Sequence, residues 1–248
     1  MIKGIGFNHD KFNFPCGEMN VRVKDYRDGS RVNLHFEFEK NEDIIELLLV
    51  SDALKSTGLK LEGISMPYVP FGRQDRIMVE GESLSLRVFA ELINSIGTQV
   101  NITDPHSEVT TALIKNCKVL QQHEVFKRYF NNLSNYWLIS PDGGALKKVY
   151  KLAQELKAPV IECSKKRNVE DGAVTGIVVH ATDLEGKDCY IVDDICDGGR
   201  TFVEIAKVLK TLNCGKIVLM VTHGFFTKGI GVFESLIDEV YTLNGRVK

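Results

Sequence analysis

A run of acidic, glycine and hydroxyl residues near position 195 has the composition of an anion site. Asp193 and Asp194 follow the apolar residues 190–192, which predict a buried parallel strand. The run continues through an acid, two glycines, a cation and a hydroxyl, and these are Asp197, Gly198, Gly199, Arg200 and Thr201. Glycines permit a tight turn, and the amides that begin a helix bind anions. Because paired carboxylates accept hydrogen bonds from neighbouring hydroxyls, we predict a site for a ribose 5-phosphate. A solvated loop between a strand and a helix is the structural alternative.

A basic loop follows the strand predicted at residues 61–66. The loop extends from Pro67 to Arg76 and contains Arg73, Gln74 and Asp75. Arginine binds phosphate oxygens in pairs through its planar guanidinium, so the loop is a candidate phosphate-binding element. Solvated arginines in a proline-rich loop are the alternative.

Two other predicted strands end in acidic residues. Asp104 and His106 follow the strand at residues 99–103, and such a pair can help to hold Mg²⁺ or contact a bound phosphate. Asp142 follows the strand at residues 137–140 and precedes two glycines. It can accept a hydrogen bond from a hydroxyl or from metal-bound water, although a helix cap would have the same sequence.

A cluster of cations follows the apolar strand predicted at residues 160–162. It consists of Lys165, Lys166 and Arg167. As a mobile arm, this cluster would close over a polyphosphate and neutralise the charge that develops during group transfer. An ordinary charged hairpin tip is the alternative.

Strand and helix patterns alternate along the whole chain. Strands are predicted near residues 31–38, 61–66, 99–103, 137–140, 160–162, 176–180, 189–192 and 216–221. Helices are predicted near residues 41–55, 83–96, 108–115, 145–156 and 201–212. This alternation favours an α/β fold with parallel sheets flanked by helices, whose ligands bind beyond the carboxyl ends of the strands. We predict two such domains, residues 1–135 and 136–248.

The length and composition allow an enzyme scaffold and do not point to a nucleic-acid or membrane protein. The 248 residues contain 31 basic and 33 acidic side chains, a net charge of −2. This balance predicts neither a nucleic-acid partner nor a membrane partner. Six cysteines without a CxxC pair, no secretory signal and no apolar run of about 18 residues predict a cytoplasmic location.

In their order along the chain, these motifs resemble the ribose-phosphate pyrophosphokinases, also called phosphoribosyl pyrophosphate synthetases. The resemblance spans nearly the whole chain and includes Phe14-Pro15-Cys16-Gly17-Glu18, which is similar to the family's nucleotide-binding loop. It implies two tandem type I phosphoribosyltransferase-like domains, with nucleotide loops in the first and the ribose-phosphate site in the second. It also implies a homo-oligomer in which Phe14 and Glu18 meet adenine across a subunit boundary.

The resemblance further implies a reaction and a role for each candidate residue. The 1-hydroxyl of ribose 5-phosphate would attack the β-phosphorus of ATP, the co-substrate, with Mg²⁺ as cofactor, giving AMP and phosphoribosyl pyrophosphate. ATP would be bound by Phe14, Glu18, Arg73, Gln74 and Asp75, and Mg²⁺ by His106 and Asp142. Catalysis would be carried by Lys165, Arg167 and His106. The sugar phosphate would be bound by Asp193, Asp194, Asp197, Gly198, Gly199, Arg200 and Thr201.

Several positions depart from the family pattern. The phosphate loop usually reads Asp-Thr-Gly-Gly-Thr, whereas Arg200 follows the glycines here, and Cys16 stands at the position of a family Asp. The chain also stops soon after residues 241–244, earlier than is typical of the family. These departures make ADP-ribose an alternative acceptor. A phosphoribosyltransferase that uses a nucleobase and an inactive regulatory homologue are further alternatives.

Overall fold

The computed structural model describes residues 1–167 and 174–248, which form two compact units, Met1–Leu120 and Gln121–Lys248. The boundary predicted from the sequence, between residues 135 and 136, lies further along the chain. The intervening segment belongs to the second unit because Val125, Phe126 and Phe130 lie in that unit's core.

The first unit contains a five-stranded sheet and a separate hairpin. The sheet has the order β1-β4-β5-β6-β7, with β4 to β7 parallel and β1 antiparallel to β4. Its strands are β1 (Ile2–Ile5), β4 (Arg31–Phe36), β5 (Lys60–Met66), β6 (Gln99–Thr103) and β7 (Cys117–Leu120), and the hairpin consists of β2 (Asn8–Asn13) and β3 (Met19–Lys24). The helices are α1 (Glu42–Ser56), α2 (Ser85–Ile96) and α3 (Glu108–Leu113).

Apolar residues at helical spacing explain why α1 packs on this sheet. Ile44, Leu47, Val50 and Leu54 recur every three or four residues and are all buried. They belong to one core with the buried strand residues Leu34, Ile64 and Ile102. Full burial of each such side chain contributes roughly 1.5–3 kcal/mol, so this face holds the helix against the sheet.

In the described residues, the second unit contains a seven-stranded sheet of order β10-β9-β8-β11-β12-β13-β14. The strands are β8 (Tyr136–Ser140), β9 (Val160–Arg167), β10 (Val174–Val179), β11 (Asp188–Cys196), β12 (Ile217–Gly224), β13 (Glu239–Thr242) and β14 (Gly245–Arg246). The five inner strands of this sheet are parallel to one another, namely β9, β8, β11, β12 and β13. The edge strands β10 and β14 are antiparallel to their neighbours. The helices are α4 (Gln122–Phe126), α5 (Leu146–Leu156) and α6 (Arg200–Thr211).

The central strand β11 is buried on both faces. Cys189 and Ile191 pack in one core with residues of α6, whereas Tyr190 and Val192 pack in another with residues of α5. Because side chains alternate along a strand, Asp193 and Asp194 face opposite sides of the sheet. The strand was predicted to end before these acids. Pairing with β12 continues to Cys196, so both acids lie within β11, near its carboxyl end.

The predicted α/β fold with mainly parallel sheets is confirmed in both units. All six cysteines lie in the described residues and are free thiols. Within residues 1–167 and 174–248, no helix combines the length and apolar character that a membrane span requires.

Candidate active site

The predicted phosphate loop connects β11 to α6 in the second unit. Gly199 lies at the N-cap of α6 with φ +79°, a left-handed conformation that favours glycine. A Cβ at this position would lie 2.6 Å from Cζ of the buried Phe233. The first amides of an α-helix have no partner within the helix, so those of Arg200 and Thr201 are available to an anion. The loop therefore has the backbone geometry of a phosphate site.

A second loop, which was not predicted, supports the first. Thr227 Oγ1 donates to Asp197 Oδ1 at 2.7 Å, and the Thr227 amide donates to the Asp197 carbonyl oxygen at 3.2 Å. A Cβ on Gly198 would lie 3.3 Å from Cγ of Lys228, so the Lys228 stem covers this glycine. Thr227 and Lys228 follow the carboxyl end of the parallel strand β12. That position in the sequence could have marked them as candidate site residues.

The two adjacent carboxylates of β11 lie in different surroundings. Asp194 is buried, and its Oδ2 accepts a hydrogen bond from Nζ of Lys148 on α5 at 3.0 Å. The Asp194 amide donates to Asp193 Oδ1 at 2.8 Å. Burial, and then the charge of Asp194, raise the pKa of Asp193 well above its ordinary value. Lys148 was not identified from the sequence.

Asp142 has two roles at the end of β8. Its Oδ1 accepts hydrogen bonds from the amides of Gly144 and Ala145 at 3.0 and 3.3 Å, just before α5 begins. Its Oδ2 accepts a hydrogen bond from Nζ of Lys165 at 2.9 Å. Oδ1 thus closes the turn that leads into α5 but does not cap the helix, whose N-cap is Ala145 without a side-chain cap. Oδ2 pairs with a predicted catalytic cation. Arg167 is the last residue of β9, and its side chain lies outside the described part of the structure.

In the first unit, the basic loop after β5 forms one wall of a cavity of about 440 Å³. The lining residues are Arg73, Gln74, Asp75, Arg76, Met78, Glu82, Ser83 and Ser85. The cavity therefore brings together the three ATP-binding residues predicted for this loop. Its last four lining residues were not predicted, because they lie just before α2 or at its first residue, away from any strand end.

Asp75 forms an ion pair with Arg76 at this cavity. Its carboxylate accepts two hydrogen bonds from the guanidinium of Arg76, with Nε 2.8 Å from Oδ1 and the second contact at 3.3 Å. The Arg76 hydrogen bonds hold the pKa of Asp75 below its ordinary value, although burial opposes this shift. His106 is exposed, and its Cβ lies 3.8 Å from the position that a Cβ on Gly72 would occupy, which places it beside this loop.

The predicted adenine-contacting residues occupy the exposed tip between β2 and β3. The amide of Phe14 donates to the carbonyl oxygen of Glu18 at 2.8 Å, which closes the tip. The rings of Phe12 and Phe14 stack edge to face, with centroids 5.6 Å apart, and 46% of Phe14 is exposed. Phe14 and Glu18 are not among the lining residues of the 440 Å³ cavity. An exposed aromatic ring of this kind suits contact with a ligand or another subunit.

The predicted Mg²⁺ ligands are His106 and Asp142. In the described residues, no three His, Cys, Asp or Glu side chains are arranged to hold a metal ion. His106 belongs to the first unit and Asp142 to the second. Magnesium in polyphosphate enzymes typically uses one or two carboxylates together with substrate phosphates and water. Asp142, whose side chain is 32% exposed, is one carboxylate that would hold such an ion together with a polyphosphate.

Comparisons with known proteins give the same assignment as the motifs. Residues 7–97 match the N-terminal domain of ribose phosphate pyrophosphokinase, and residues 111–240 match the phosphoribosyl transferase domain. In fold, the chain is similar to the crystal structure of phosphoribosylpyrophosphate synthetase from Mycobacterium smegmatis. The TM-score is 0.79 at 22% identity, covering 95% of this chain and 80% of that one.

Curated relatives extend the match to nearly the whole chain. The ribose-phosphate pyrophosphokinase of Thermococcus kodakarensis is 31% identical over 236 residues, covering 93% of this chain and 83% of the relative. That of Pyrococcus furiosus is 29% identical over 235 residues with the same coverage. The predicted resemblance is confirmed, and the chain belongs to the ribose-phosphate pyrophosphokinase family.

Proposed function

We propose that this protein transfers the β,γ-diphosphate of ATP to the 1-hydroxyl of ribose 5-phosphate. One observation carries this proposal. The phosphate loop at the start of α6 and the carboxylates Asp193 and Asp194 belong to one strand end, so a single segment offers sites for a phosphate and for sugar hydroxyls. Relatives named ribose-phosphate pyrophosphokinase support the same reaction.

The second unit would bind the sugar phosphate. The amides of Arg200 and Thr201 and the Thr201 hydroxyl would bind the 5-phosphate, and Gly199 allows the backbone to approach it. Asp197 would hold the loop in place through its contacts with Thr227. Asp193 and Asp194 would accept hydrogen bonds from the ribose hydroxyls. The exposed Arg200 adds a positive charge beside the phosphate.

The first unit would bind ATP. Arg73 and Gln74 would contact the nucleotide from the wall of the 440 Å³ cavity, where Asp75 orients Arg76. Phe14 and Glu18 would contact adenine from a neighbouring subunit of a homo-oligomer, because they project from the first unit on an exposed hairpin tip.

The chemistry would be a displacement at the β-phosphorus. As the 1-hydroxyl oxygen bonds to this atom, its proton passes to water and the bond to the oxygen that bridges the α- and β-phosphates breaks. AMP leaves with that oxygen. Lys165, Arg167 and His106 would neutralise the charge that develops on the diphosphate. Mg²⁺ would supply further positive charge when bound, and Asp142 of the second unit would help to hold it together with the polyphosphate.

A product assay tests this function directly. Purified protein is incubated with ATP and Mg²⁺ and either ribose 5-phosphate or ADP-ribose, and products are identified by mass spectrometry while AMP is measured. We expect AMP and phosphoribosyl pyrophosphate from ribose 5-phosphate. An Asp193→Asn, Asp194→Asn variant prepared in parallel controls for a contaminating host enzyme.

The alternatives predict other results. The comparisons support ribose 5-phosphate and give no support for ADP-ribose, so a diphosphate added only to ADP-ribose would contradict the proposed acceptor. A phosphoribosyltransferase would form no product here, but with phosphoribosyl pyrophosphate and a nucleobase added it would transfer the phosphoribosyl group to the base and release diphosphate without ATP. An inactive regulatory homologue would form no product with any of these compounds.

A further inference from the structure

Lys148 connects a helix to the carboxylate pair of β11. It lies in the first turn of α5, and its Nζ is 3.0 Å from Oδ2 of Asp194. The exposed fractions are 24% for the Lys148 side chain and 10% for the Asp194 side chain. An ion pair this shielded from water is screened less than a surface pair, so it restrains both groups more strongly.

The surroundings of Asp194 explain why a cation is needed there. Asp194 faces the same side of the sheet as Tyr190 and Val192, which lie in an apolar core with Val149 and Leu152 of α5. A carboxylate at the edge of such a core is costly unless it is paired and hydrogen-bonded. Lys148 provides both the opposite charge and the hydrogen bond.

The ion pair fixes the orientation of the Asp194 carboxylate. An ionised carboxylate has about four acceptor positions, and the Lys148 ammonium occupies one of those on Oδ2. The turn before α5 is held by Asp142, whose Oδ1 accepts hydrogen bonds from the amides of Gly144 and Ala145. Lys148, in the first turn of α5, therefore reaches Asp194 from a helix whose preceding turn is fixed.

We propose that Lys148 is a positioning residue, which holds the Asp194 carboxylate in the orientation that accepts a hydrogen bond from a ribose hydroxyl. This inference rests on the proposed function, because it takes ribose 5-phosphate to be the ligand of this strand end. Lys148 acts through Asp194 and not on the reacting atoms. Its loss should therefore weaken binding of the sugar phosphate and leave binding of ATP unchanged.

The test compares Lys148→Met with Lys148→Arg and with a matched control, Lys151→Met. Lys151 is an exposed lysine of the same helix. Steady-state rates give the KM for ribose 5-phosphate and for ATP. Calorimetry gives the Kd of ribose 5-phosphate in the presence of Mg²⁺ and α,β-methylene-ATP, an analogue that cannot transfer its diphosphate.

For Lys148→Met, we expect the Kd and KM for ribose 5-phosphate to rise about 10- to 100-fold, the range for a lost hydrogen bond to a charged group. The KM for ATP should stay within about twofold. Lys148→Arg should recover most of the affinity because it restores a cationic donor, and Lys151→Met should resemble the wild type. A merely structural role would affect both substrates and would not be specific to the sugar phosphate.

Unchanged sugar-phosphate affinity in a folded Lys148→Met variant would overturn this inference and leave the proposed function intact. Equal losses for ATP and ribose 5-phosphate, or no recovery with Lys148→Arg, would also overturn it. If the wild-type protein neither binds ribose 5-phosphate nor forms phosphoribosyl pyrophosphate, the proposed function fails first, and this inference fails with it.

Discussion

The ammonium of Lys165 lies 2.9 Å from Oδ2 of Asp142, so a residue of β9 and the loop after the neighbouring strand β8 form an ion pair. About a third of each side chain is exposed, so solvent and ligands can reach the pair. The pair keeps the Lys165 cation at the carboxyl end of the sheet, on the same edge as the end of β11. This position suits stabilisation of a charged transition state.

Replacing Lys165 with methionine should lower kcat by about 100- to 1,000-fold, the effect of removing one donor to a developing charge. The side chain keeps its length, so the KM for ribose 5-phosphate should change little. Steady-state kinetics at saturating ATP measure both constants. Lys210→Met, at an exposed position of α6, is the matched control and should keep wild-type activity. A Lys165→Met variant with normal kcat would show that Lys165 has no catalytic role.

Gly199→Ala tests whether the phosphate loop depends on its backbone. The added Cβ would require a left-handed alanine and would clash with Phe233. Gly97 provides a control, since it has φ +77° and its Cβ would meet nothing within 4 Å. Gly199→Ala should therefore lower the free energy of unfolding by about 1–3 kcal/mol more than Gly97→Ala, the usual cost of overpacking. Urea denaturation measures this difference.

The same two variants should differ in their kinetics. Gly199→Ala should raise the KM for ribose 5-phosphate because the amides of α6 move away from the phosphate position, whereas Gly97→Ala should leave it unchanged. If both variants bound ribose 5-phosphate like the wild type, the phosphate would have to bind elsewhere.

Arg73→Ala tests the cavity of the first unit. Loss of a guanidinium that contacts phosphate should raise the KM for ATP about 10- to 100-fold, because hydrogen bonds to charged groups contribute about 1.5–3 kcal/mol. The Kd of ribose 5-phosphate should stay unchanged, since its proposed site is in the second unit. Arg87→Ala on α2 removes another exposed arginine as a control. A larger effect on ribose 5-phosphate than on ATP would contradict the assignment of this cavity.

The repeating apolar pattern made the helices predictable to within two residues at most ends. The helix predicted at residues 201–212, for example, is Arg200–Thr211, and that predicted at 145–156 is Leu146–Leu156. Strand-end positions were equally informative, because parallel strands bring their carboxyl ends to one edge of a sheet. This rule located Asp142 and Asp197 at strand ends. Lys165 was predicted to follow its strand, but β9 continues to Arg167, so Lys165 lies within the strand and pairs with Ile177 of β10.

Elements with little apolar signal were harder to predict. The strand β2 is exposed at most positions, so it lacks the alternation that marks a strand, and β7 has only four residues. Lys148 and Thr227 were not predicted as site residues for another reason. Each contacts an acidic residue about 30 or more positions away in the chain, and only the packing of α5 and of the loop after β12 brings them together.

Glu46 anchors the hairpin that carries Phe14 and Glu18. Only 6% of its side chain is exposed on α1, and its Oε1 lies 2.9 Å from Nε2 of His9, while its Oε2 accepts a hydrogen bond from Lys11. Burial alone would raise the pKa of Glu46, but the hydrogen bonds from His9 and Lys11 hold it below the ordinary value. The ionised carboxylate therefore stabilises the folded hairpin.

Glu46→Gln should lower the free energy of unfolding at pH 7 by about 1–3 kcal/mol, because a buried charged hydrogen-bond partner is lost. A carboxyl whose pKa is lowered in the folded state stabilises the protein above its unfolded pKa and loses that contribution as pH falls through the folded value. The difference between wild type and variant should therefore shrink below the ordinary glutamate pKa of about 4.3. Urea denaturation from pH 7 downward measures this difference. The control Glu62→Gln, which breaks an exposed pair with Arg31, should lower the free energy of unfolding by less than about 1 kcal/mol.

Hydrogen exchange should also be faster in β2 and β3 of Glu46→Gln, and the KM for ATP should rise if the hairpin tip contacts adenine. A difference from wild type that stayed constant with pH would show that the charge of Glu46 does not hold the hairpin.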